Sequence, residues 1–282
     1  MFLKLMYITN NLDIALIAEK YGVNRIWIDL ETIGKEERQR GLDSVKSHHK
    51  ISDIVKIKPH LSTAEMLVRI NSWHEESVNE IDAVINAGAD IIMLPYWKSV
   101  DEVKKFINAI NGRCKATLLL ETREAVECVD EVLTIPGFDE IHIGLNDLHL
   151  SYGLNFMFEL LTNGTVEMLC KKFADANIPY GFGGIAKLGE GIIPAEKIIM
   201  EHYRLGSTRA ILSRSFFNCI TISDIEEAEK VFCDNMVRLI RYEKNVSNMT
   251  LKQFEKNRID VIDSVNAIVD NKKMNGSLNV LG

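Results

Sequence analysis

The chain has 282 residues, 46% hydrophobic and 26% charged, so it can bury a full core and does not have the composition of a disordered protein. Its formal net charge of -7 favours solubility and argues against a nucleic-acid partner, which requires a basic surface. The five cysteines include no C-x-x-C pair, which argues against a zinc site and against a disulfide framework.

Strand-like and helix-like segments alternate along the chain, which is typical of a parallel sheet with helices outside it. Strands are predicted at 3–9, 25–31, 66–71, 91–94, 116–121, 140–144, 180–184 and 210–213. Helical patterns between them are clearest at 12–21, 75–87, 100–110 and 124–133. Eight such units, with no G-x-G-x-x-G after the first strand, favour a (β/α)8 TIM barrel in the α/β class over an open doubly wound sheet.

The barrel is predicted to occupy residues 1–242, followed by a C-terminal helical extension at 243–282. Ser223 and Glu226 have the spacing of a capping box, and the helix that they open is expected to reach Tyr242. A further helix is predicted at 250–269, with a frayed end after it. Its apolar positions need a partner, either the barrel or a second copy, and we expect a homo-oligomer.

The start of the chain shows no basic segment followed by a sustained apolar run, so no signal peptide is expected. No apolar run approaches the roughly 20 residues of a membrane span, so we expect no membrane partner. Reduced cysteines fit the same interpretation, and the predicted location is the cytoplasm.

Polar residues follow the predicted strands at the end where α/β barrels carry out their chemistry. Crowded carboxylates repel one another unless a cation lies between them, and carboxylate oxygens suit Mg²⁺ or Mn²⁺. The candidates, in chain order, are Asp29, Glu31, Arg69, Glu121, Asp147, Gly183, Gly184 and Arg214. The polar stretch from 32 to 62 leaves the same end of the barrel and is predicted to be a functional loop followed by one helix.

Five short motifs resemble the HpcH/HpaI aldolase and citrate lyase β-subunit family of metal-dependent barrels. They are Trp27-Ile28-Asp29-Leu30-Glu31, Val68-Arg69-Ile70-Asn71, Met93-Leu94-Pro95, Leu120-Glu121-Thr122, and Gly144-Leu145-Asn146-Asp147-Leu148 with Gly153 after it. The resemblance implies that Glu121 and Asp147 bind Mg²⁺ or Mn²⁺. It also implies that Arg69 contacts a carbonyl or carboxylate of a 2-oxo acid or related acyl substrate.

The activity implied is aldolase-type carbon–carbon cleavage through a metal-stabilised enolate, with Arg69 as an added cation beside the same oxygen. Thr32 stands where family aldolases tend to have a histidine, so the general base is open, and His48 or His49 could supply it. Asp29, Glu31, Gly183, Gly184 and Arg214 are further candidates for substrate binding. Two alternatives are a lyase that acts on a CoA thioester and a catalytically silent barrel that serves as a binding subunit.

Overall fold

The computed structural model describes residues 2–34, 48–218 and 224–278, with side chains as far as Lys272. Eight parallel strands pair in chain order, and β1 pairs with β8 to close the barrel. The strands are β1 Lys4–Ile8, β2 Arg25–Asp29, β3 Glu65–Arg69, β4 Ile91–Leu94, β5 Lys115–Leu120, β6 Glu140–Ile143, β7 Tyr180–Ile185 and β8 Arg209–Leu212. The predicted fold class is therefore confirmed.

Helices follow the strands and cover the outside of the barrel. They are α1 Leu12–Lys20, α2 Ile51–Ile57, α3 Ser77–Ala87, α4 Val100–Ile110, α5 Arg123–Glu127, α6 Val129–Val132, α7 Leu145–Ser151, α8 Glu159–Thr162, α9 Thr165–Asp175, α10 Ala195–Arg204, α11 Ile225–Val246 and α12 Leu251–Leu278. A 3₁₀ turn at Lys58–His60 extends α2. Within the described ranges, no helix combines the length and apolar character that a bilayer span requires.

The two last helices pack on the barrel. The side chain of Glu243 in α11 accepts a hydrogen bond from the backbone N–H of Leu3, at 2.9 Å. In α12, Asn257 donates to the carboxylate of Glu201 in α10, at 2.9 Å, and Val265 is fully buried. The barrel itself is therefore a partner for the apolar positions of α12, while self-association stays a prediction.

Two details of these helices differ from the sequence prediction. The side chain of Asp224 caps α11 by accepting from the backbone N–H of Glu226, whereas Ser223 lies outside the described residues. The helix then continues past Tyr242 to Val246. The end of α12 is helical as far as Leu278, although the sequence predicted fraying from Asn271.

A buried ionic cluster fills the amino end of the barrel interior, and we call it the Arg25 cluster. Its members are Arg25, Glu65, Thr117, Glu140 and Arg209. Arg25 donates to both carboxylate oxygens of Glu140, and Arg209 donates to one of them at 2.6 Å. Above it, Met6, Trp27, Leu67, Ile91, Met93 and Leu119 form an apolar layer. The interior is thus packed, and the polar residues at the carboxyl ends of the strands lie above an apolar layer.

Candidate active site

Arg69 is the central cation at the carboxyl end of the barrel. It is the register partner of Asp29 across β2 and β3, and its Nε and Nη2 donate to the two carboxylate oxygens of Asp29 at 2.9 Å each. Its Nη1 lies 3.3 Å from Oε2 of Glu31, and the guanidinium lies 5.3 Å from the ring centre of Trp27. Bidentate pairing of this kind fixes the plane of the guanidinium as well as its position.

The charges around Arg69 keep it protonated. Burial alone would lower the pKa of the guanidinium, but the carboxylates of Asp29 and Glu31 outweigh burial and raise it. The carboxylate of Glu121 adds to the same effect, which places Glu121 within electrostatic reach of Arg69. We call Asp29, Glu31, Arg69, Glu121 and Asp147 the mouth cluster.

Glu121 is buried just beyond the end of β5, and a backbone group of the loop after β4 holds its carboxylate. Oε1 accepts a hydrogen bond from the backbone N–H of Tyr96, at 3.0 Å. Tyr96 has a φ of 50°, a left-handed backbone that is uncommon for a residue with a side chain. Thr122, not Glu121, caps α5 by accepting from the N–H of Ala125, so helix capping does not account for the Glu121 carboxylate.

Asp147 lies in the first turn of α7, four residues beyond the end of β6. The sequence placed it at the end of a strand, but β6 ends at Ile143 and Gly144 begins the helix. Asp147 is only 8% exposed, and its Oδ1 is buried with no hydrogen-bond partner among the described residues. A buried carboxylate oxygen without a partner is costly, and a cation would satisfy it.

Gly144 lies against Glu121 and begins the helix that carries Asp147. A Cβ at this position would lie 2.7 Å from Oε2 of Glu121 and 3.0 Å from its Cβ. The backbone carbonyl of Gly144 also accepts the N–H of Leu148, so α7 and Asp147 start from the residue that contacts Glu121. The absence of a side chain at Gly144 thus leaves room for the Glu121 carboxylate beside the helix turn that bears Asp147.

This donor set fits a hard divalent cation such as Mg²⁺ or Mn²⁺, because such ions bind one or two carboxylates and keep water or substrate oxygens as other ligands. In the described parts of the chain, no group of three or more His, Cys, Asp or Glu residues is placed to hold a metal. Two carboxylates would therefore be the protein's contribution from this region. The metal-binding role of Glu121 and Asp147 stays a prediction.

The two histidines proposed as a general base differ in their surroundings. His48 is exposed, whereas His49 is half-buried and its Nδ1 accepts the backbone N–H of Asp29, at 3.1 Å. Because a backbone N–H can only donate, Nδ1 must hold the lone pair and Nε2 the proton. The lone pair of Nδ1 is therefore engaged with Asp29. The role of His48 or His49 as the general base stays a prediction.

The remaining predicted residues surround the mouth at β7 and β8. Gly183 has a φ of 50°, and a Cβ there would lie 2.7 Å from Cδ1 of Leu145, while Gly184 lies against the carbonyl of Ile211. These contacts explain both glycines by packing and backbone conformation. Arg214 is exposed just after β8 and lines a separate cavity. Substrate contacts of Gly183, Gly184 and Arg214 stay predictions.

Asn71 is a further site residue, whose function could not be predicted from its position after β3. Its Oδ1 accepts from the backbone N–H groups of Thr32 and Ile33 at 2.8 and 3.0 Å, and its Nδ2 donates to Glu80 at 2.8 Å. Asn71 thus fixes the chain where it leaves β2, directly after Glu31. Its position after a predicted strand indicates that it lies at the barrel mouth, but its partners belong to the segment after β2 and to α3.

A wide cavity at the opposite end of the barrel is not the candidate site. It measures about 860 Å³ and opens between the amino ends of β3 to β6. The charged groups in its wall are paired, as in the contact of 2.5 Å between Lys58 and Asp90. Chemistry in α/β barrels takes place at the carboxyl ends of the strands, where the mouth cluster lies.

Comparison with known families identifies the chain. The HpcH/HpaI aldolase/citrate lyase family model matches residues 5–159, which is more than half of the sequence and includes β2 to β6 and all but the first residue of β1. The chain belongs to this family. Its members are lyases, so the predicted family resemblance and the prediction of a carbon–carbon lyase are confirmed. No curated protein sequence gives a significant match.

Solved structures with the same fold include an HpcH/HpaI aldolase from Desulfitobacterium hafniense DCB-2, with a TM-score of 0.58 and 15% identity over 75% of this chain and 86% of that chain. A family protein from Burkholderia cenocepacia J2315 has a TM-score of 0.58 and 13% identity over 80% and 94%. A citrate lyase beta subunit from M. tuberculosis, complexed with oxaloacetate and magnesium, has a TM-score of 0.56 and 12% identity over 82% and 97%. At these identities the likeness establishes the fold.

Proposed function

We propose that this HpcH/HpaI family member is a Mg²⁺- or Mn²⁺-dependent aldolase-type lyase that acts on a 2-oxo acid or a related acyl substrate through an enolate. The observation that carries the proposal is the buried Oδ1 of Asp147, which has no partner among the described residues and belongs to the helix turn that starts beside Glu121. Two buried carboxylates without a cation between them would repel each other.

The protein holds the two ligands before any metal arrives. The N–H of Tyr96 orients one oxygen of Glu121, and Gly144 leaves space for the other. Asp147 is held by the backbone of α7, whose first turn begins at Gly144. Ligands that are fixed in advance lose little conformational freedom on binding, which strengthens binding and restricts the geometry.

Arg69 supplies a fixed positive charge for the substrate. A guanidinium has five N–H donors, and three of its contacts go to Asp29 and Glu31. Two donors are left for an oxygen of the substrate, and the bidentate pair with Asp29 keeps them in one plane. A preoriented donor stabilises the negative charge that develops on a carbonyl oxygen without further reorganisation.

A bound divalent cation would supply Lewis-acid stabilisation of the negative charge on the enolate oxygen. The structurally similar citrate lyase beta subunit from M. tuberculosis was solved with oxaloacetate and magnesium, which supports both the class of substrate and the class of metal. The packed apolar layer lies below the mouth cluster, and a lower local dielectric strengthens each charge interaction in the site.

Titration of Mn²⁺ followed by electron paramagnetic resonance tests the proposal. Removing an outer contact from a metal site typically costs about 10- to 100-fold in affinity, so loss of a ligand should cost at least about 100-fold. We expect this loss in Glu121→Gln and in Asp147→Asn. The exposed residue Glu127 offers a matched control, and Glu127→Gln should bind like the wild type. Wild-type affinity in both site variants would overturn the proposed metal site.

A second measurement tests the chemistry separately from binding. Wild-type protein with Mn²⁺ should exchange the methyl protons of pyruvate for deuterium in deuterated water, because exchange requires the enolate. The variant Arg69→Lys should retain metal binding and lose most of this exchange, since a lysine cannot make the bidentate pair with Asp29. Absence of exchange in wild-type protein with confirmed bound metal would count against the 2-oxo acid as substrate.

A further inference from the structure

A second cavity lies at the same end of the barrel as the mouth cluster, beyond the carboxyl ends of β7 and β8. It measures about 290 Å³, enough for a group of several non-hydrogen atoms. Lys187 follows β7, and Arg214 and Ser215 follow β8, so both loops contribute to the wall. Asn235 of α11 also lines the cavity.

Hydrogen bonds join the loop after β7, the loop after β8 and α11, which together form the wall of this cavity. The N–H of Lys187 donates to the carbonyl of Ser215, at 3.4 Å, which joins the two loops. Nδ2 of Asn235 donates to the carbonyl of Phe216, at 2.8 Å, which ties the second loop to α11. Phe216 is only 1% exposed and anchors this loop in the core. The cavity is therefore part of the fold and not a chance gap between side chains.

The cations in this cavity suit an anionic group. Nζ of Lys187 lies 2.7 Å from Oε1 of Glu190, but the two side chains are 38% and 47% exposed. Exposed ion pairs of this kind are weak, so an incoming anion can displace the glutamate. Arg214 is an exposed residue, and the planar donors of a guanidinium match the oxygen atoms of a carboxylate or a phosphate.

The negative charge of the mouth cluster means that a substrate with two acidic groups needs a second, positively charged binding site. Its four carboxylates and one guanidinium give a formal charge of -3, which a divalent cation reduces to -1. One acidic group of a substrate can be held there by Arg69 and the cation. A second acidic group would meet net negative charge and requires a cation elsewhere on the same face. In α/β barrels, the loops after strands 7 and 8 frequently bind phosphate.

We propose that Lys187, Arg214, Ser215 and Asn235 form a subsite for an anionic group, a carboxylate or a phosphate, at the end of the substrate remote from the reacting carbon. As a substrate subsite it rests on the proposed function, whereas its affinity for an anion does not depend on the metal site. The subsite selects substrates with two acidic ends over those with one.

Isothermal titration with inorganic phosphate and with succinate, each in the presence of EDTA, tests the subsite while the metal site is empty. Wild-type protein should bind at least one of the two, and the tighter one identifies a phosphate or a carboxylate as the preferred group. A hydrogen bond to a charged group contributes about 1.5 to 3 kcal/mol, so Lys187→Gln and Arg214→Gln should each weaken binding roughly tenfold or more.

Arg241 provides the matched control, because it is an exposed arginine on α11 that does not line the cavity. Arg241→Gln should bind the probe like the wild type. Equal affinity in all four proteins, or no binding of either probe by the wild type, would overturn the subsite. Failure of the Mn²⁺ titration alone would overturn the proposed metal site and leave this result standing, so the two proposals fail separately.

Discussion

The guanidinium of Arg69 and the carboxylate of Asp29 meet through two hydrogen bonds of 2.9 Å between neighbouring strands that pair in register. Both side chains are nearly buried, with 12% and 2% exposed. The pair is therefore both a structural support of the barrel mouth and the element that orients the remaining donors of Arg69. Any change to one partner leaves the other as a buried charge.

Arg69→Met should destabilise the protein by about 3 to 5 kcal/mol, because it removes the cation that Asp29 and Glu31 share. The double variant Arg69→Met with Asp29→Asn should recover part of that loss, since it leaves one buried charge fewer. Urea unfolding at pH 7 measures both. Arg123→Met, at an exposed arginine, is the control. A single Arg69 variant as stable as the wild type would contradict this account.

Gly144→Ala should weaken metal binding without a comparable loss of fold. Its backbone, with φ -83° and ψ 88°, is open to alanine, but the new Cβ would lie 2.7 Å from Oε2 of Glu121. The carboxylate of Glu121 must then shift from its present position, and Mn²⁺ affinity should fall roughly tenfold or more.

Gly164→Ala separates this effect from general strain. Gly164 has a φ of 85° and no atom within 4 Å of the new Cβ, so alanine there costs about 1 to 2 kcal/mol of stability through its backbone alone. Its Mn²⁺ affinity should equal that of the wild type. If Gly144→Ala and Gly164→Ala bind Mn²⁺ equally well, the space beside Glu121 has no role in metal binding.

His49→Asn should retain activity that His49→Ala loses. The Oδ1 of an asparagine lies close to the position of Nδ1 and can accept the N–H of Asp29, whereas alanine leaves that N–H without its partner. Pyruvate exchange rates and urea midpoints of the two variants give the comparison. Equal loss of exchange in both, at unchanged stability, would instead support a role of His49 in proton transfer.

Stability should fall in acid because of Glu140 in the Arg25 cluster. Burial alone would raise the pKa of Glu140, but Arg25 and Arg209 outweigh it and lower the pKa to about 2, from an ordinary value of 4.5. The unfolded chain therefore takes up a proton before the folded one does. The contribution of Glu140 is complete above pH 4.5 and is lost as the pH falls toward 2.

Urea midpoints measured from pH 7 to pH 2 test this window. Glu140→Gln should lower stability at pH 7, because Arg25 and Arg209 lose their carboxylate, and should flatten the curve below pH 4.5. Burial lowers the pKa of His142 from 6.5 to about 4, so stability that depends on its neutral form is lost as the pH falls from 6.5 toward 4, mostly above the range in which Glu140 acts. An unchanged slope below pH 4.5 would contradict the assignment to Glu140.

The fold was predictable because buried parallel strands are nearly continuous apolar runs, and all eight lie within two residues of their predicted bounds. Glu121 was predictable for the same reason, since it directly follows such a run. Asp147 was expected just past the end of the sixth strand, where Leu145 and Leu148 prolong the apolar pattern, yet it lies in a helix that begins after Gly144. Periodicity alone does not separate a strand end from a buried helix turn.

Other features of the site depend on contacts between distant segments. The N–H of Tyr96 bonds Glu121 across 25 residues, and His49 reaches Asp29 across 20. The Arg25 cluster joins Arg25 to Glu140 across 115 residues. No local pattern marks these pairs, because backbone donors have no residue type and charged residues are common on surfaces. The sequence could therefore indicate the proposed metal ligands but not the groups that orient them.

The pairing of β1 with β8 means that the barrel can close only late in synthesis. Lys4 lies opposite Arg209, so the first strand has no second neighbour until the last one has been made. At roughly 5 to 20 residues per second, this interval is about 10 to 40 s. During it, one edge of β1 presents unpaired backbone groups, and such edges invite association with other chains. Until the barrel closes, the nascent chain thus depends on protection of this strand edge, which a chaperone that covers open sheet edges would give.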